Sequence, residues 1–211
     1  MLLLVRHGEA AANAEGRLLG RTDSPLTGRG RLQVAALAGS LPSGVVRVVS
    51  SPLRRAVESA TGLVTGLPIE IDERWIEIDY GAHEGMALAA VPPEVWVRWR
   101  TDPDYAPEGG ESLTALGARV RRACDELLGD PAADARQPGR HVVVVSHVSP
   151  IKAAVAWALG TDDGVAWRLH LSTGSLSAVG WGASGPVLHV YNDVPPLDDV
   201  AAQAPPGPTA G

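Results

Sequence analysis

The run His141-Val142-Val143-Val144-Val145-Ser146-His147-Val148-Ser149-Pro150 decides the architecture. Its consecutive valines leave no face for water, so residues 141–145 read as a strand buried on both sides, as in a parallel sheet covered by helices. Ser149 and Pro150 then supply a helix cap and a residue suited to a first turn, and the helix they open is expected to end at Gly160. Residues 2–5 form a second short apolar run, broken by Arg6-His7-Gly8. A third spans residues 45–49 and is followed by Ser51-Pro52, which repeats the cap-then-proline signal. The helix expected there has Leu53, Ala56, Val57, Ala60, Leu63 and Val64 on one face and closes at Gly66.

Outward from these segments, residues 69–71 read as a further strand and residues 28–40, 93–100 and 112–128 as helices. The helix at 112–128 rests on the spacing of Leu113, Leu116, Val120, Cys124, Leu127 and Leu128. Residues 176–181 and 187–191 flank Gly182-Ala183-Ser184-Gly185-Pro186 and read as a hairpin. Residues 10–27 and most of 78–110 read as loops, and 130–140 as a polar connector. The fold class expected is α/β: three layers, a mostly parallel sheet with helices on both faces, and a C-terminal hairpin. One domain over residues 1–194 is expected, with 195–211 a Pro/Ala/Gly/Asp tail that buries too little to order itself.

Composition narrows the function classes. The chain of 211 residues has a formal net charge of -6, which argues against nucleic acid and anionic membrane surfaces as partners. Its single cysteine, Cys124, excludes an internal disulfide and fits a reducing compartment. The apolar start is cut off by Arg6, too short for a signal peptide, and no run approaches the roughly 20 apolar residues of a membrane helix. A cytoplasmic location is therefore expected. Lys152 is the only lysine, so an arginine gains significance here only from its position.

Ligands of open α/β sheets bind beyond the carboxyl ends of the strands. Arg6-His7 follows the first strand and Ser146-His147 the fourth, so parallel neighbours would bring both histidines to one edge. Arg55, in the first turn of the helix after the second strand, lies near the same edge. The sequence shows no spaced Cys/His set and no calcium-loop pattern, so neither a metal nor another cofactor is expected.

Leu3-Leu4-Val5-Arg6-His7-Gly8-Glu9 resembles the signature of the histidine phosphatase superfamily, which includes phosphoglycerate mutases and many phosphatases. Further blocks follow in order: Asn13; Gly20-Arg21-Thr22-Asp23-Ser24-Pro25-Leu26-Thr27 with Gly30 and Gln33; Ser50-Ser51-Pro52-Leu53-Arg54-Arg55-Ala56; Glu77 within 76–85; Pro107 with Gly110-Glu111-Ser112; and Val145-Ser146-His147. The resemblance spans residues 2–193 and implies a phosphoglycerate mutase-like fold. It departs from the family pattern at Ala10, where a hydroxyl is usual, at His83, where an aromatic residue is common, and at Val148-Ser149, where a glycine pair is usual.

The resemblance implies His7 as nucleophile, Arg6 and Arg55 as phosphate-binding forks, His147 as a third donor and Glu77 as the acid. Asn13 and the Val148 N–H are further phosphate contacts it suggests, and Arg21, Trp96 and Trp99 line the expected substrate pocket. Each type suits its task. A guanidinium fork binds phosphate oxygens bidentately. A neutral histidine between two arginines can attack phosphorus and split one slow step into two. A carboxylic acid can protonate the leaving oxygen and later deprotonate water; Asp79 and Glu84 are rival candidates. Because that acid must hold a proton, activity is expected to be better in mild acid than near pH 8.

Residues 87–111, which should cover the pocket, carry few basic groups, Arg98 and Arg100. A mutase must hold a doubly phosphorylated intermediate and should present more positive charge. The expected activity is a metal-independent phosphomonoesterase acting on a small phosphate ester, of the smaller phosphatase branch that includes alpha-ribazole phosphatases and acid phosphatases. The alternatives are a phosphoglycerate mutase and a catalytically inactive binding protein of the same fold. Neither the natural substrate nor the oligomeric state is readable from the sequence.

Overall fold

The computed structural model of the protein describes residues 1–129 and 135–197. Part of the expected connector, 130–134, and the expected tail from residue 198 onward lie outside the described residues. In chain order the elements are β1 (Leu2–Arg6), α1 (Ala11–Ala14), α2 (Gly28–Ser40), β2 (Val45–Ser50), α3 (Arg54–Leu63), β3 (Ile69–Ile71), α4 (Pro93–Thr101), α5 (Leu113–Gly129), β4 (His141–Ser146), α6 (Val148–Leu159), β5 (Leu176–Gly182) and β6 (Gly185–Asp193).

The strands form one sheet in the order β3-β2-β4-β1-β5-β6. The four strands from β3 to β1 are parallel, and the β5–β6 hairpin adds to β1 antiparallel. The α/β class and the C-terminal hairpin are therefore as expected. Side chains alternate across the sheet with the period of two that a strand imposes. Leu2, Leu4, Val49, Val142 and Val144 face α5 and α6, where Leu116, Val120, Ile151 and Val155 complete one core. Leu3, Val5, Val48, Val143 and Val145 face α2 and α3, where Val34, Leu37, Ala56 and Ala60 complete the other. Each fully buried valine of β4 contributes about 1.5 kcal/mol or more, so the strand needs no polar face.

Register positions the chemistry. Arg6 of β1 stands beside Ser146 of β4, and Val145 beside Ser50 of β2. The residues that follow β1, β4 and β2 thus emerge together at one carboxyl edge. Close backbone packing holds the first of these turns. A Cβ on Gly8 would come within 2.3 Å of the Gly30 carbonyl oxygen, and one on Gly30 within 2.1 Å of that of Glu9, so only glycine fits at either position.

Several boundaries differ from the sequence reading. Helix α3 begins at Arg54, not Pro52, because Ser51 Oγ accepts from the Leu53 N–H while Leu53 stays extended. Helix α6 begins at Val148 with His147 at its N-cap, so Ser149 and Pro150 lie inside the first turn, where a proline forfeits no intrahelical bond. Gly160 closes it at φ 63°, as expected. Helix α3 stops at Leu63, and Gly66, at φ 85°, turns the chain toward β3. The expected loop over 10–27 contains the single turn α1, capped by its own Asn13.

Candidate active site

His7, Arg55, Glu77 and His147 are all buried at the carboxyl edge, at 2%, 0%, 4% and 0% exposure, although each is polar or ionisable. Burying such groups is costly unless they are paired, so their partners define the site. The His7 and His147 rings lie 5.0 Å apart between centroids.

His7 follows β1 with its backbone N–H donating to the Ser146 carbonyl at 3.1 Å and its own carbonyl accepting from Gly174 N at 3.0 Å. Its Nδ1 lies 2.7 Å from the Gly8 carbonyl oxygen. A carbonyl can only accept, so Nδ1 carries the proton and Nε2 holds the free lone pair of the neutral ring. Burial first, then Arg55 and Arg6, hold the His7 imidazole well below its usual range, against the smaller opposing effect of the Gly8 bond. The ring is therefore neutral, with its nucleophilic nitrogen fixed.

Arg55 sits at the start of α3, where Nη2 donates to Gly20 O at 2.6 Å, Nη1 to Thr22 O at 2.9 Å and Nε to His147 Nδ1 at 3.2 Å. Its pKa is lowered, chiefly by burial. Arg6 donates through Nη1 to Leu171 O at 2.6 Å, while its Nε is buried with no hydrogen-bond partner. Burial pulls the Arg6 guanidinium down to about 10, still charged at neutral pH.

His147, expected as a third donor to phosphate, is held by protein groups at both ring nitrogens. Nδ1 accepts from Arg55, and Nε2 lies 2.6 Å from Ser51 Oγ, so both ring nitrogens of the neutral ring are engaged. Its complete burial requires its polar atoms to be paired. Burial first, then Arg55, keep it well below its usual range. An arriving phosphate, being negative, opposes both effects and favours the protonated ring.

Glu77 is held at both ends. Its backbone carbonyl accepts from Arg119 Nη2 at 3.3 Å and Arg21 Nε at 3.4 Å. Its Oε1 accepts from Ile78 N at 2.8 Å and Ser149 N at 3.2 Å, the latter an N–H of the first turn of α6. The rival carboxylates are occupied elsewhere. Glu84 accepts from the Arg21, Thr22 and Tyr80 backbones, and Asp79 from Gly81 N while pairing with Arg21.

The remaining expected residues are less uniform. Val148 N–H opens α6 beside His147 and has no intrahelical partner by position. Asn13 Oδ1 is engaged by Ala10 N at 3.1 Å, the loop-capping role. Arg21 is tied to Asp79 at 3.3 Å and Glu111 at 3.2 Å and so acts as a brace. Trp99 is buried and lines a pocket beside Glu77, whereas Trp96 packs edge-on against Trp99 and Trp167. Sequence reasoning missed Ser59, whose Oγ accepts from Gly8 N and donates to Arg55 O. It also took Ser51 for a helix cap. An isolated serine carries no sequence signal of this kind.

The two histidines' pKa shifts carry a stability consequence. Both are depressed in the folded state, while the unfolded chain titrates near the ordinary 6.5. Above that pH neither state takes up the protons. Below it the unfolded chain does and the folded one does not, so stability falls as pH drops from 6.5 toward the folded values. The expected loss is up to about 1.4 kcal/mol per pH unit for each histidine. Denaturant unfolding at pH 7, 6 and 5 measures it; a flat stability across that window contradicts the buried neutral pair.

The chain is similar to several known proteins. A bifunctional protein of Mycobacterium tuberculosis is 39% identical over 191 residues, covering 87% of this chain but only 51% of its own length, so the chain spans about half of that relative. A probable phosphoglycerate mutase of Yersinia enterocolitica is 33% identical, with 93% and 94% of the two chains covered. A solved mycobacterial glucosyl-3-phosphoglycerate phosphatase in complex with VO3 superposes with a TM-score of 0.80 at 33% identity, covering 90% of this chain and 98% of that one. The model of the histidine phosphatase superfamily (branch 1) matches residues 2–194, and the chain belongs to that family.

Proposed function

We propose that the chain is a phosphomonoesterase that works through a phosphohistidine formed on His7 Nε2, without a metal. The observation that carries this reading is the convergence of a neutral His7, two guanidinium groups and the buried Glu77 on one strand edge. Arg6 and Arg55 would grip the equatorial oxygens, where charge is greatest, and the Val148 N–H would add a donor at a helix N-terminus. His7 Nε2 would attack phosphorus in line as the P–O bond to the leaving group breaks. Glu77 would give its proton to that oxygen. It would then take a proton from the water that breaks the P–N bond, releasing phosphate and restoring His7.

Hydrolysis is favoured over transfer because, among the described residues, little positive charge beside the site is unengaged apart from Lys152, a single ammonium rather than a fork. Arg98 lies 4.0 Å over the Tyr105 ring, Arg100 5.9 Å from that of Trp167, and Arg21 is tied to carboxylates. A mutase has to hold a second phosphate. Conversion of 3- to 2-phosphoglycerate at a rate exceeding phosphate release would overturn this reading in favour of the mutase. An inactive binding protein is disfavoured because all four phosphate-handling side chains are present and assembled.

The role of Glu77 has its own signature. Glu77→Gln is expected to slow hydrolysis of an alkyl phosphate by about a thousandfold, since a poor leaving group needs the proton. With 4-nitrophenyl phosphate the first step needs no acid, so the variant should release a burst of about one nitrophenolate per chain and then stall at the phosphoenzyme. Equal slowing of both esters with no burst argues against this assignment.

A further inference from the structure

Glu77 marks the side on which the leaving group must lie, because its proton goes to the leaving oxygen. Beside Glu77, next to Ile78 and to Ser149, whose N–H donates to Glu77 Oε1, lies a pocket that Tyr80, Trp99, Leu113 and Trp167 also line. These walls are apolar or aromatic. One charged side chain lines them: Lys152, the only lysine of the chain.

Lys152 follows Ser149 by one helical turn on α6, so both project from the same face. It is half-buried, and among the described residues its ammonium has no hydrogen-bond or ion-pair partner. Arg6, the cation that acts on it, donates to the Leu171 carbonyl at 2.6 Å, while Arg119 and Arg21 are paired with Glu111 at 2.8 and 3.2 Å and Arg121 with Asp163 at 2.8 Å. Asp163, which precedes the pocket-lining Ala166 and Trp167 in the same 3-10 turn, is thereby taken by Arg121. An unpaired ammonium in apolar surroundings is the costly arrangement that a ligand can relieve.

Resting on the phosphatase reading above, we infer that the substrate's leaving group carries a carboxylate on an apolar or aromatic body, and that Lys152 is the specificity residue that binds this carboxylate. A single ammonium matches one negative charge. A second phosphate, carrying about two charges and three acceptor oxygens, would call for the guanidinium forks that are engaged elsewhere. Burial also draws the Lys152 pKa down, with Arg6 in the same direction and Glu77 opposing, so a bound carboxylate would recover what burial costs.

The test compares matched aryl esters: 3- and 4-carboxyphenyl phosphate against their carbamoyl counterparts, which keep shape and lose charge. Wild type is expected to favour the better carboxylated ester by about tenfold in kcat/KM. Lys152→Met should collapse that preference to about one, chiefly by raising KM for the carboxylated ester, and Lys152→Arg should restore part of it. Dividing wild type by variant cancels the intrinsic reactivity of each ester. Equal use of charged and neutral esters by wild type overturns the inference. So does a Lys152→Met variant that, with unchanged melting temperature, slows both esters equally through kcat. No phosphate release from any ester by the folded wild type removes the phosphatase reading itself, and the inference with it.

Discussion

His7→Ala is expected to cut phosphate release by about 10⁴-fold or more, the scale on which removing a covalent nucleophile acts. No other group in the site can replace it. His147 has both ring nitrogens engaged, and Glu77 is anchored by two backbone N–H groups. The second readout is chemical. Wild type quenched during turnover should carry a phosphoryl group that is labile in acid and stable in alkali, as a phosphoramidate is, and the variant should carry none. His7 is fully enclosed, so the variant's melting temperature must be measured alongside to separate lost chemistry from lost fold. Undiminished turnover in the variant means the nucleophile lies elsewhere.

The second large effect is expected at Arg55. Arg55→Ala should lower kcat/KM by about a thousandfold, since a preorganised charged donor to the reacting group disappears. It should also destabilise the fold by about 2–4 kcal/mol, because the Gly20 and Thr22 carbonyls and His147 Nδ1 lose their donor. Arg55→Lys separates the two roles. It keeps the charge, but a single ammonium cannot reach three acceptors spread over the fork, so kcat/KM should still fall by about a hundredfold. Denaturant unfolding gives the stability change and steady-state kinetics the rest. A lysine variant with wild-type kcat/KM shows that charge alone suffices and that the fork geometry is immaterial.

The arrangement around Arg55 also explains the value of the Gly20-Arg21-Thr22 segment. Two of its backbone carbonyls orient the guanidinium, and Glu84 in turn pins the segment through Arg21 N at 2.9 Å and Thr22 Oγ1 at 2.9 Å. A carboxylate that the sequence offered as a rival catalyst is therefore a fastener for the loop that aims the arginine. Asn13 is similar: its oxygen is spent on its own helix start. Glu84 reads as a rival acid from position alone because a polar side chain's partners depend on segments distant in the chain.

What the sequence by itself determined is the layered fold and which residues gather at the carboxyl edge of its sheet. Short runs of valine and leucine bounded by turn residues suit inner strands of a covered parallel sheet. A histidine directly after such a strand has to emerge at the carboxyl edge, so Arg6-His7 and Ser146-His147 were bound to meet once β1 and β4 paired. Local rules sufficed for these because strand burial and strand direction are local consequences of composition. What only the tertiary structure decided is every partnership across that edge: which His7 nitrogen is free, the closure of His147 between Arg55 and Ser51, the different backbone N–H groups that anchor Glu77, Asp79 and Glu84, and the Lys152 ammonium, unpaired among the described residues, beside a largely apolar pocket. Hydrogen bonds and ion pairs reach only a few ångströms, and residues that make them here lie far apart in the chain, Ser51 and His147 by 96 positions and Arg6 and Leu171 by 165. Their pairing is set when the sheet and its loops close, a step that no periodicity or composition encodes.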